Sequence, residues 1–312
     1  MKEHARKAST KPLASNVPGE LTVGDIMFVE TKNNVKKPML VHVDVCTKLI
    51  TGVPLQNRTE DECTKAVLQI KSEYQIDGRT MKQLVFDREP GIVPAENELK
   101  SKGIELILKA AGQKVGLAEV TIRLIRVKAR ATKAGVRAKY GYLPPNQFNM
   151  DLCLDSIAVL NRIPKAQDAK NPFELFTGKS VDVMRDFRSD WGELIVVKKP
   201  KGISSDLSVT GQWAVVVRRM MNHMGVLKVY LIQSKKYAYR LHFARALAPE
   251  WVLEALNLIT LDMSIGFEDG AEEDLQRMIK DYHKKDANDY DPKDDTIDID
   301  DDDVIVMEKD NR

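Results

Sequence analysis

The order of apolar segments constrains the fold of this chain more than any other feature of its sequence. Strand-like runs rich in Val, Ile, Leu and Met cover residues 21–29, 38–46 and 49–55. Turn-forming residues separate the runs at 33–34 and 47–48. Three adjacent strands joined by short turns predict an antiparallel meander.

Helix-like and strand-like segments alternate after this meander. Thr59 and Glu62 have the spacing of a capping box and predict the start of the first helix. Its apolar face is predicted from the helical spacing of Cys63, Ala66, Val67, Ile70 and Tyr74. The next predicted elements are strand 83–87, helix 95–102, strand 104–108, helix 114–138 and helix 149–162. A meander followed by this alternation predicts an α/β fold, with a mixed sheet covered by helices.

The pattern changes near residue 185. Short β-like runs at 193–198, 212–218, 227–233 and 237–243 predict a small antiparallel β-module. We therefore divide the chain into an N-terminal arm at 1–17, an α/β core at 18–182, a β-module at 183–262 and an acidic tail at 263–312, which we expect to be disordered.

Charge is distributed unevenly, although the formal net charge is only +2. Residues 268–312 contain 18 acidic and 7 basic residues, a net charge of −11, which leaves 28 acidic and 41 basic residues, or +13, in residues 1–267. A basic body favours a polyanionic partner such as nucleic acid.

Several classes of protein do not fit this sequence. Its apolar runs all fall short of the roughly 20 residues that a membrane helix needs, so we expect no membrane partner. The N-terminus has no apolar signal segment, so secretion is not expected. Cys46, Cys63 and Cys153 have the spacing of neither a disulfide framework nor a zinc site, and we expect ordinary buried thiols.

Three carboxylates point to chemistry. Asp25 and Asp87 each interrupt an apolar, strand-like run, and Glu119 opens the basic helix. A buried acid without a partner costs several kcal/mol, and a shared divalent cation removes that cost. Paired cations held by carboxylates serve phosphodiester chemistry, so the trio predicts a metal site. Asp44 also interrupts a strand, but we expect it to cap the turn that follows.

The long helix carries a second signal. Glu119, Arg123, Arg126 and Arg130 lie on one face, and residues 120–139 contain seven Lys or Arg and no acid. This face predicts either a phosphate-binding surface beside the carboxylates or a solvated basic surface. An apolar stripe on the same helix is predicted to pack in the core: Leu117, Val120, Leu124 and Val127.

Two stretches of the sequence form recognisable motifs: Gln113-Lys114-Val115-Gly116-Leu117-Ala118-Glu119 and Phe86-Asp87-Arg88-Glu89-Pro90-Gly91. They resemble the integrase of copia-type retrotransposons, within the retroviral integrase superfamily. The segment from Gln113 through Gly116 to Glu119 is similar to the Gln-x-x-Gly-x-x-Glu stretch that carries the third catalytic acid there. Residues 86–91 resemble the segment around the second acid, and residues 18–28 resemble the entry to the first strand, which favours Asp25 over Asp44. Further resemblance occurs at 160–164, 171–179 and 211–243.

The resemblance implies an RNase H-like fold, a mixed five-stranded sheet with helices on both faces. It implies end processing and strand transfer of element DNA, catalysed with Mg²⁺ or Mn²⁺ held by Asp25, Asp87 and Glu119. It also implies binding to element-end and target DNA, homo-oligomerisation, and action in the nucleus after cytoplasmic synthesis. The residues expected to contact DNA are Lys114, Arg123, Arg126 and Arg130.

Departures from the family pattern keep other functions open. Arg88-Glu89 replaces the usual Asn-Gly, and residues 88–118 make a shorter interval than usual between the last two acids. Residues 1–17 contain only His4 and therefore lack the His/Cys zinc pattern of the family, and the resemblance implies that the acidic tail is a linker toward a reverse transcriptase. The alternatives are a catalytically inactive nucleic-acid-binding remnant of the same fold, and a nuclease or transposase.

Overall fold

The chain forms a mixed five-stranded sheet and a smaller antiparallel sheet. The computed structural model describes residues 13–32, 35–109, 116–164, 170–198, 211–221 and 225–261. The strands of the first sheet are β1 (Leu21–Glu30), β2 (Lys36–Asp44), β3 (Ile50–Pro54), β4 (Gln83–Phe86) and β5 (Glu105–Leu108). Their order in the sheet is β3-β2-β1-β4-β5.

The pairing directions confirm the predicted meander and the RNase H-like mixed sheet. β1 pairs with β2, and β2 with β3, in antiparallel fashion. β4 runs parallel to both β1 and β5. The first strand therefore lies at the centre of the sheet, with the meander on one side and the parallel strands on the other. The predicted turn at 33–34 lies outside the described residues.

Helices cover both faces of this sheet, as predicted. Along a strand, alternate side chains point to opposite faces. Ile26 of β1 belongs to a buried cluster with Ile70, whereas its neighbour Met27 belongs to a different cluster with Ile125. The helices are α1 (Glu60–Ile76), α2 (Glu96–Ser101), α3 (Gly116–Tyr140), α4 (Asn149–Leu160), α5 (Pro172–Thr177), α6 (Val183–Asp186) and α7 (Glu250–Leu261).

The start of α1 differs in detail from the prediction. The helix begins after Thr59 and buries the expected apolar face, but the capping box does not form. The Thr59 hydroxyl donates to Asn57 Oδ1 at 2.6 Å, and Glu62 Oε2 accepts from the amide of Gln56 at 3.1 Å. The side chains of Thr59 and Glu62 therefore form hydrogen bonds with the loop before the helix, and not the reciprocal side-chain-to-backbone bonds of a capping box.

The second sheet confirms the predicted β-module. Its strands are β6 (Leu194–Lys198), β7 (Gly211–Met220), β8 (Val226–Leu231) and β9 (Lys236–Arg240). They follow one another in the order β6-β7-β8-β9, and all three pairings are antiparallel. After β9 the chain returns to β6, where Ala244 forms a bridge with Val196.

The β-module packs directly on the helices of the first sheet. Ala129 of α3 and Leu152 of α4 share one buried cluster with Trp191, with Val215 of β7 and with Leu256 of α7. One hydrophobic cluster therefore joins the β-module to the helices that cover the first sheet. None of the helices within the described ranges is both long and apolar enough to cross a membrane.

Candidate active site

Strand register places Asp25 and Asp87 side by side. Gly24 of β1 lies opposite Phe86 of β4 in their parallel pairing. Asp25 and Asp87 each follow one of these paired residues, so they occupy adjacent positions where β4 ends. Two acids that lie 62 positions apart in the sequence thereby meet in the centre of the sheet.

Helix α3 brings Glu119 to the same face of the sheet. Val23 shares a buried cluster with Ala118, and Met27 shares another with Ile122. Asp25 lies between Val23 and Met27 on the same face of β1, because side chains alternate with a period of two. It therefore faces the first turns of α3, where Glu119 lies.

The electrostatics of Asp25 show that these acids are close to one another. Burial is the chief cause that raises the pKa of the Asp25 carboxyl to about 6, and the negative charges of Asp87, Glu89 and Glu119 raise it further. The amide of Ile26 donates to Asp25 Oδ1 at 2.7 Å and opposes this shift. The surroundings therefore destabilise the charged form of Asp25, and a nearby cation would offset this destabilisation.

Asp44 has the capping role that was predicted for it. Its Oδ2 accepts from the amide of Thr47 at 2.7 Å and from the hydroxyl of Thr47 at 2.6 Å. Its Oδ1 accepts from the amide of Gly19 at 2.8 Å. The fully buried carboxylate therefore ties the β2–β3 turn to the entry of β1.

Gly24 allows the ring of Phe86 to pack over β1 next to the acids. A Cβ at position 24 would lie 2.4 Å from the nearest atom of the Phe86 ring, far inside van der Waals contact. Phe86 is fully buried and immediately precedes Asp87. The absence of a side chain at position 24 therefore leaves room for the ring against the strand, directly before Asp87.

Glu89 was not predicted as a site residue, although it lies where the sequence departs from the pattern of the resembled family. Arg58 Nη1 contacts Glu89 Oε2 at 3.3 Å, and its guanidinium lies 5.2 Å from the centre of the Phe28 ring. A Cβ at Gly91 would lie 2.1 Å from the carbonyl oxygen of Arg58, so this loop packs tightly on the segment before α1. Glu89 is thereby held beside the predicted trio.

The carboxylates of Asp25, Asp87 and Glu119 offer the oxygen ligands that a divalent cation takes, but they do not form a complete ligand set. Over the described ranges, no three His, Cys, Asp or Glu side chains are arranged to hold a metal ion. Carboxylates repel one another, so these side chains have no cause to converge without a cation between them. Carboxylate oxygens are the ligands that magnesium prefers. By donor type and charge, Asp25, Asp87 and Glu119 fit such an ion.

Helix α3 presents basic residues to solvent. Its orientation differs from the predicted one, because the apolar stripe that was expected to pack in the core also faces outward. Arg123, Arg126 and Arg130 are exposed, whereas Lys114 lies outside the described residues. Val120, Leu124 and Val127 are 51%, 40% and 37% exposed, so the prediction that they form core is wrong. The buried face of α3 consists of Ala118, Thr121, Ile122, Ile125, Ala129 and Val136.

This rotation follows from packing against the sheet. The side chains that meet β1 and β2 are Ile122 and Ile125, and small alanines at 118 and 129 permit close approach. The helix therefore has two apolar faces and buries the one that carries the alanines.

Comparison with known proteins finds likeness in solved structures alone. No protein-family model matches the sequence, and no curated protein matches it. A chain of the simian T-cell lymphotropic virus intasome in complex with PP2A regulatory subunit B56 gamma is 14% identical, with 80% of this chain and 86% of that chain covered and a TM-score of 0.45.

Two catalytic core domains are similar over a shorter part of the chain. The HTLV-2 integrase catalytic core domain in complex with magnesium, in its trimeric form, is 17% identical, with 51% of this chain and 97% of that chain covered and a TM-score of 0.39. The catalytic core domain of BIV integrase is 18% identical, with 51% and 93% covered and a TM-score of 0.39. At these identities the likeness concerns the fold alone.

Proposed function

We propose that this chain is a divalent-metal-dependent polynucleotidyl transferase of the integrase type. The observation that carries the proposal is the proximity of three acids that come from separate elements. Asp25 comes from β1, Asp87 follows β4 and Glu119 opens the exposed basic helix α3. Burial is the chief cause that raises the pKa of Asp25, and the negative charges of Asp87 and Glu119 raise it further. Acids gathered beside a cationic helix suit phosphodiester chemistry.

In this proposal each acid has its own task. Asp25 and Asp87 would hold or bridge two ions of Mg²⁺ or Mn²⁺, and Glu119 would hold the second ion. When bound, such ions activate the attacking oxygen and stabilise the leaving oxygen. The shared repulsion among the carboxylates keeps the site ready for cations, because binding a cation relieves it.

The arginines of α3 would position the DNA. Arg123, Arg126 and Arg130 follow Glu119 on the same side of the helix and are exposed. Contacts from these guanidinium groups to phosphate oxygens would hold a DNA backbone above the acids without reading its sequence. Lys114 is proposed as a further contact from the segment before the helix.

The sequence resemblance supports a more specific form of the proposal. As a copia-type integrase, the chain would trim the ends of retroelement DNA and transfer them into target DNA. It would act as a homo-oligomer on host chromatin in the nucleus, after synthesis in the cytoplasm. The motif around Gln113, Gly116 and Glu119 is the main support for this form.

A strand-transfer assay with Mg²⁺ or Mn²⁺ tests the proposal. The wild-type chain should join a labelled oligonucleotide to a second duplex, and Asp87→Asn should reduce the product to background while DNA binding is retained. Asp77→Asn provides a matched control, because Asp77 pairs with Lys179 and precedes the start of β4, whereas Asp87 follows its end. Normal activity of Asp87→Asn would overturn the proposed site.

The second candidate is a nucleic-acid-binding remnant that has lost catalysis. The observation that favours it is Glu89, an additional acid tied to Arg58 at a position where the resembled family has Gly. In that case the wild-type chain binds DNA through α3 but yields no metal-dependent product. Hydrolysis without strand transfer would instead indicate a nuclease.

A further inference from the structure

Helix α3 carries a solvent-exposed surface that is apolar along its centre and basic along one edge. We call it the outer surface of α3, and it consists of Val120, Arg123, Leu124, Arg126, Val127 and Arg130. Helical spacing places Val120, Leu124 and Val127 in one stripe, with the three arginines beside it. Exposed valine and leucine next to arginine suit a partner that is both apolar and acidic.

One segment of the same chain has the complementary composition. Residues 297–307 read Ile-Asp-Ile-Asp-Asp-Asp-Asp-Val-Ile-Val-Met, with five acids, six apolar residues and no base. The acids come first, up to Asp303, and Val304 through Met307 form an uninterrupted apolar run. Opposite charges favour encounter, and the apolar run favours contact that excludes water.

The covalent connection permits this contact. Helix α7, from which the chain continues towards residue 297, shares a buried cluster with Ala129 and Val136 of α3. Residues 262–296 span at most about 115–126 Å when fully extended. Helix α3 has 25 residues, a length of about 37 Å. The intervening chain therefore reaches every part of the outer surface.

We propose that residues 297–307 dock on the outer surface of α3. The four consecutive aspartates from Asp300 to Asp303 would face the arginines, and the run from Val304 to Met307 would cover Leu124 and its apolar neighbours. The docking itself does not depend on the proposed function. Its consequence does: the docked segment would occupy the surface that the proposal assigns to DNA and would restrain DNA binding.

Site-specific crosslinking tests the docking without DNA. The full chain is prepared with the photo-crosslinking residue p-benzoylphenylalanine at position 124, and the crosslinked peptides are identified by mass spectrometry. Intrachain crosslinks to residues 297–307 are expected. The control carries p-benzoylphenylalanine at position 76 instead. Ile76 is 82% exposed, but it lies at the end of α1 and not on the outer surface of α3. Crosslinks from position 124 that map elsewhere, or that join two chains, would overturn the proposal.

Charge variants separate specific docking from general attraction. Changing Asp300, Asp301, Asp302 and Asp303 to Asn should reduce the crosslink yield by about tenfold, since several weak ion pairs are lost together. Changing Glu268, Asp269, Glu272 and Glu273 to Gln or Asn removes the same charge and should change it by less than about twofold. Equal losses in the two variants would show that composition, and not a docked segment, is responsible.

DNA affinity distinguishes this inference from the proposed function. If both hold, the Asp300–Asp303 variant should bind duplex DNA several-fold more tightly than the wild type at low salt, and the difference should shrink at high salt. Crosslinks to residues 297–307 with no DNA binding by either protein would uphold the docking and overturn the proposed function. DNA binding without these crosslinks would overturn the docking and would agree with the DNA contacts that the proposed function assigns to α3.

Discussion

Arg219 of β7 donates twice to one carboxylate oxygen of Asp155 on α4, from its backbone amide at 3.0 Å and from its guanidinium Nε at 2.9 Å. Both side chains are nearly buried, with 10% and 2% exposed. One turn earlier on α4, Asp151 binds Lys228 of β8 at 2.8 Å. The two acids are four residues apart, so a single face of α4 holds two strands of the β-module.

Replacing Asp155 by Ala should therefore weaken the attachment of the β-module. Loss of the carboxylate leaves the Arg219 charge buried without its partner, a change that typically costs about 3–5 kcal/mol. Denaturant unfolding should show a lower midpoint, and limited proteolysis should cut the β-module faster. Asp61→Ala is the control: it breaks an exposed pair with Lys65 and should cost less than about 1 kcal/mol. Equal losses of stability in Asp155→Ala and Asp61→Ala would contradict the role of Asp155 in attaching the β-module.

Asp25 gives a prediction about pH. Its pKa in the folded chain is raised from 3.8 to about 6, so the folded state binds this proton more tightly than the unfolded state. The resulting stability is fully present below about pH 4 and is lost as the pH rises through 6. Asp25→Asn avoids that loss. Above pH 7 it should stabilise the metal-free protein by about 1–2 kcal/mol, a figure reduced for partial exposure.

Unfolding at pH 8 and at pH 4 measures this difference, which should be near zero at the lower pH. Glu254→Gln, which changes an exposed acid of α7, is the control and should leave stability unchanged at both. A destabilised Asp25→Asn protein at pH 8 would mean that the charged carboxylate has partners that support it.

The strands and the antiparallel meander could be predicted from the sequence because they depend on local signals. Apolar runs between turn residues predict a meander, and a charged residue inside such a run is easily recognised among its apolar neighbours. The capping of the β2–β3 turn by Asp44 was predicted for the same reason, since Thr47 is only three residues away. Local spacing determines each of these features.

Features that depend on distant residues were out of reach. The rotation of α3 is set by the sheet beneath it, and both of its faces are apolar enough to pack. The contact of Glu89 with Arg58 joins residues that are 31 positions apart, and that of Asp155 with Arg219 spans 64. No periodicity in the sequence connects such pairs. The mutual influence of the acids on Asp25 likewise appears once the strands are in register.

The basic edge of α3 is expected to contact DNA phosphates. Changing Arg123 and Arg126 together to Ala should weaken DNA binding and leave the circular dichroism spectrum unchanged, because both side chains are exposed. The dependence of log affinity on log salt should flatten by about 0.9 for each lost phosphate contact. Lys139→Ala is a control on the same helix, since Lys139 pairs with Asp190. An unchanged slope would mean that these arginines of α3 do not contact DNA phosphates.

Gly24 should tolerate no side chain. In Gly24→Ala the new methyl group would collide with the fully buried ring of Phe86, and overpacking of this kind typically costs about 1–3 kcal/mol. Because Asp87 follows Phe86 directly, displacement of the ring should also reduce metal-dependent activity at temperatures where the variant is folded. Gly135→Ala, on the exposed side of α3 with open space around it, is the control and should be neutral or stabilising.

Glu89 is expected to tune Asp25 electrostatically. Its negative charge is one of the causes that raise the pKa of Asp25, so Glu89→Gln should lower that pKa below 6. The value should stay above 3.8, because burial is the larger cause and is unaffected by the substitution. Titration of the Asp25 carboxyl carbon by NMR measures the change, with the resonance assigned by its absence from Asp25→Asn. Glu98→Gln on α2 should leave the titration where it is. An unshifted pKa in Glu89→Gln would show that Arg58 fully neutralises Glu89, and the site would then count three acids rather than four.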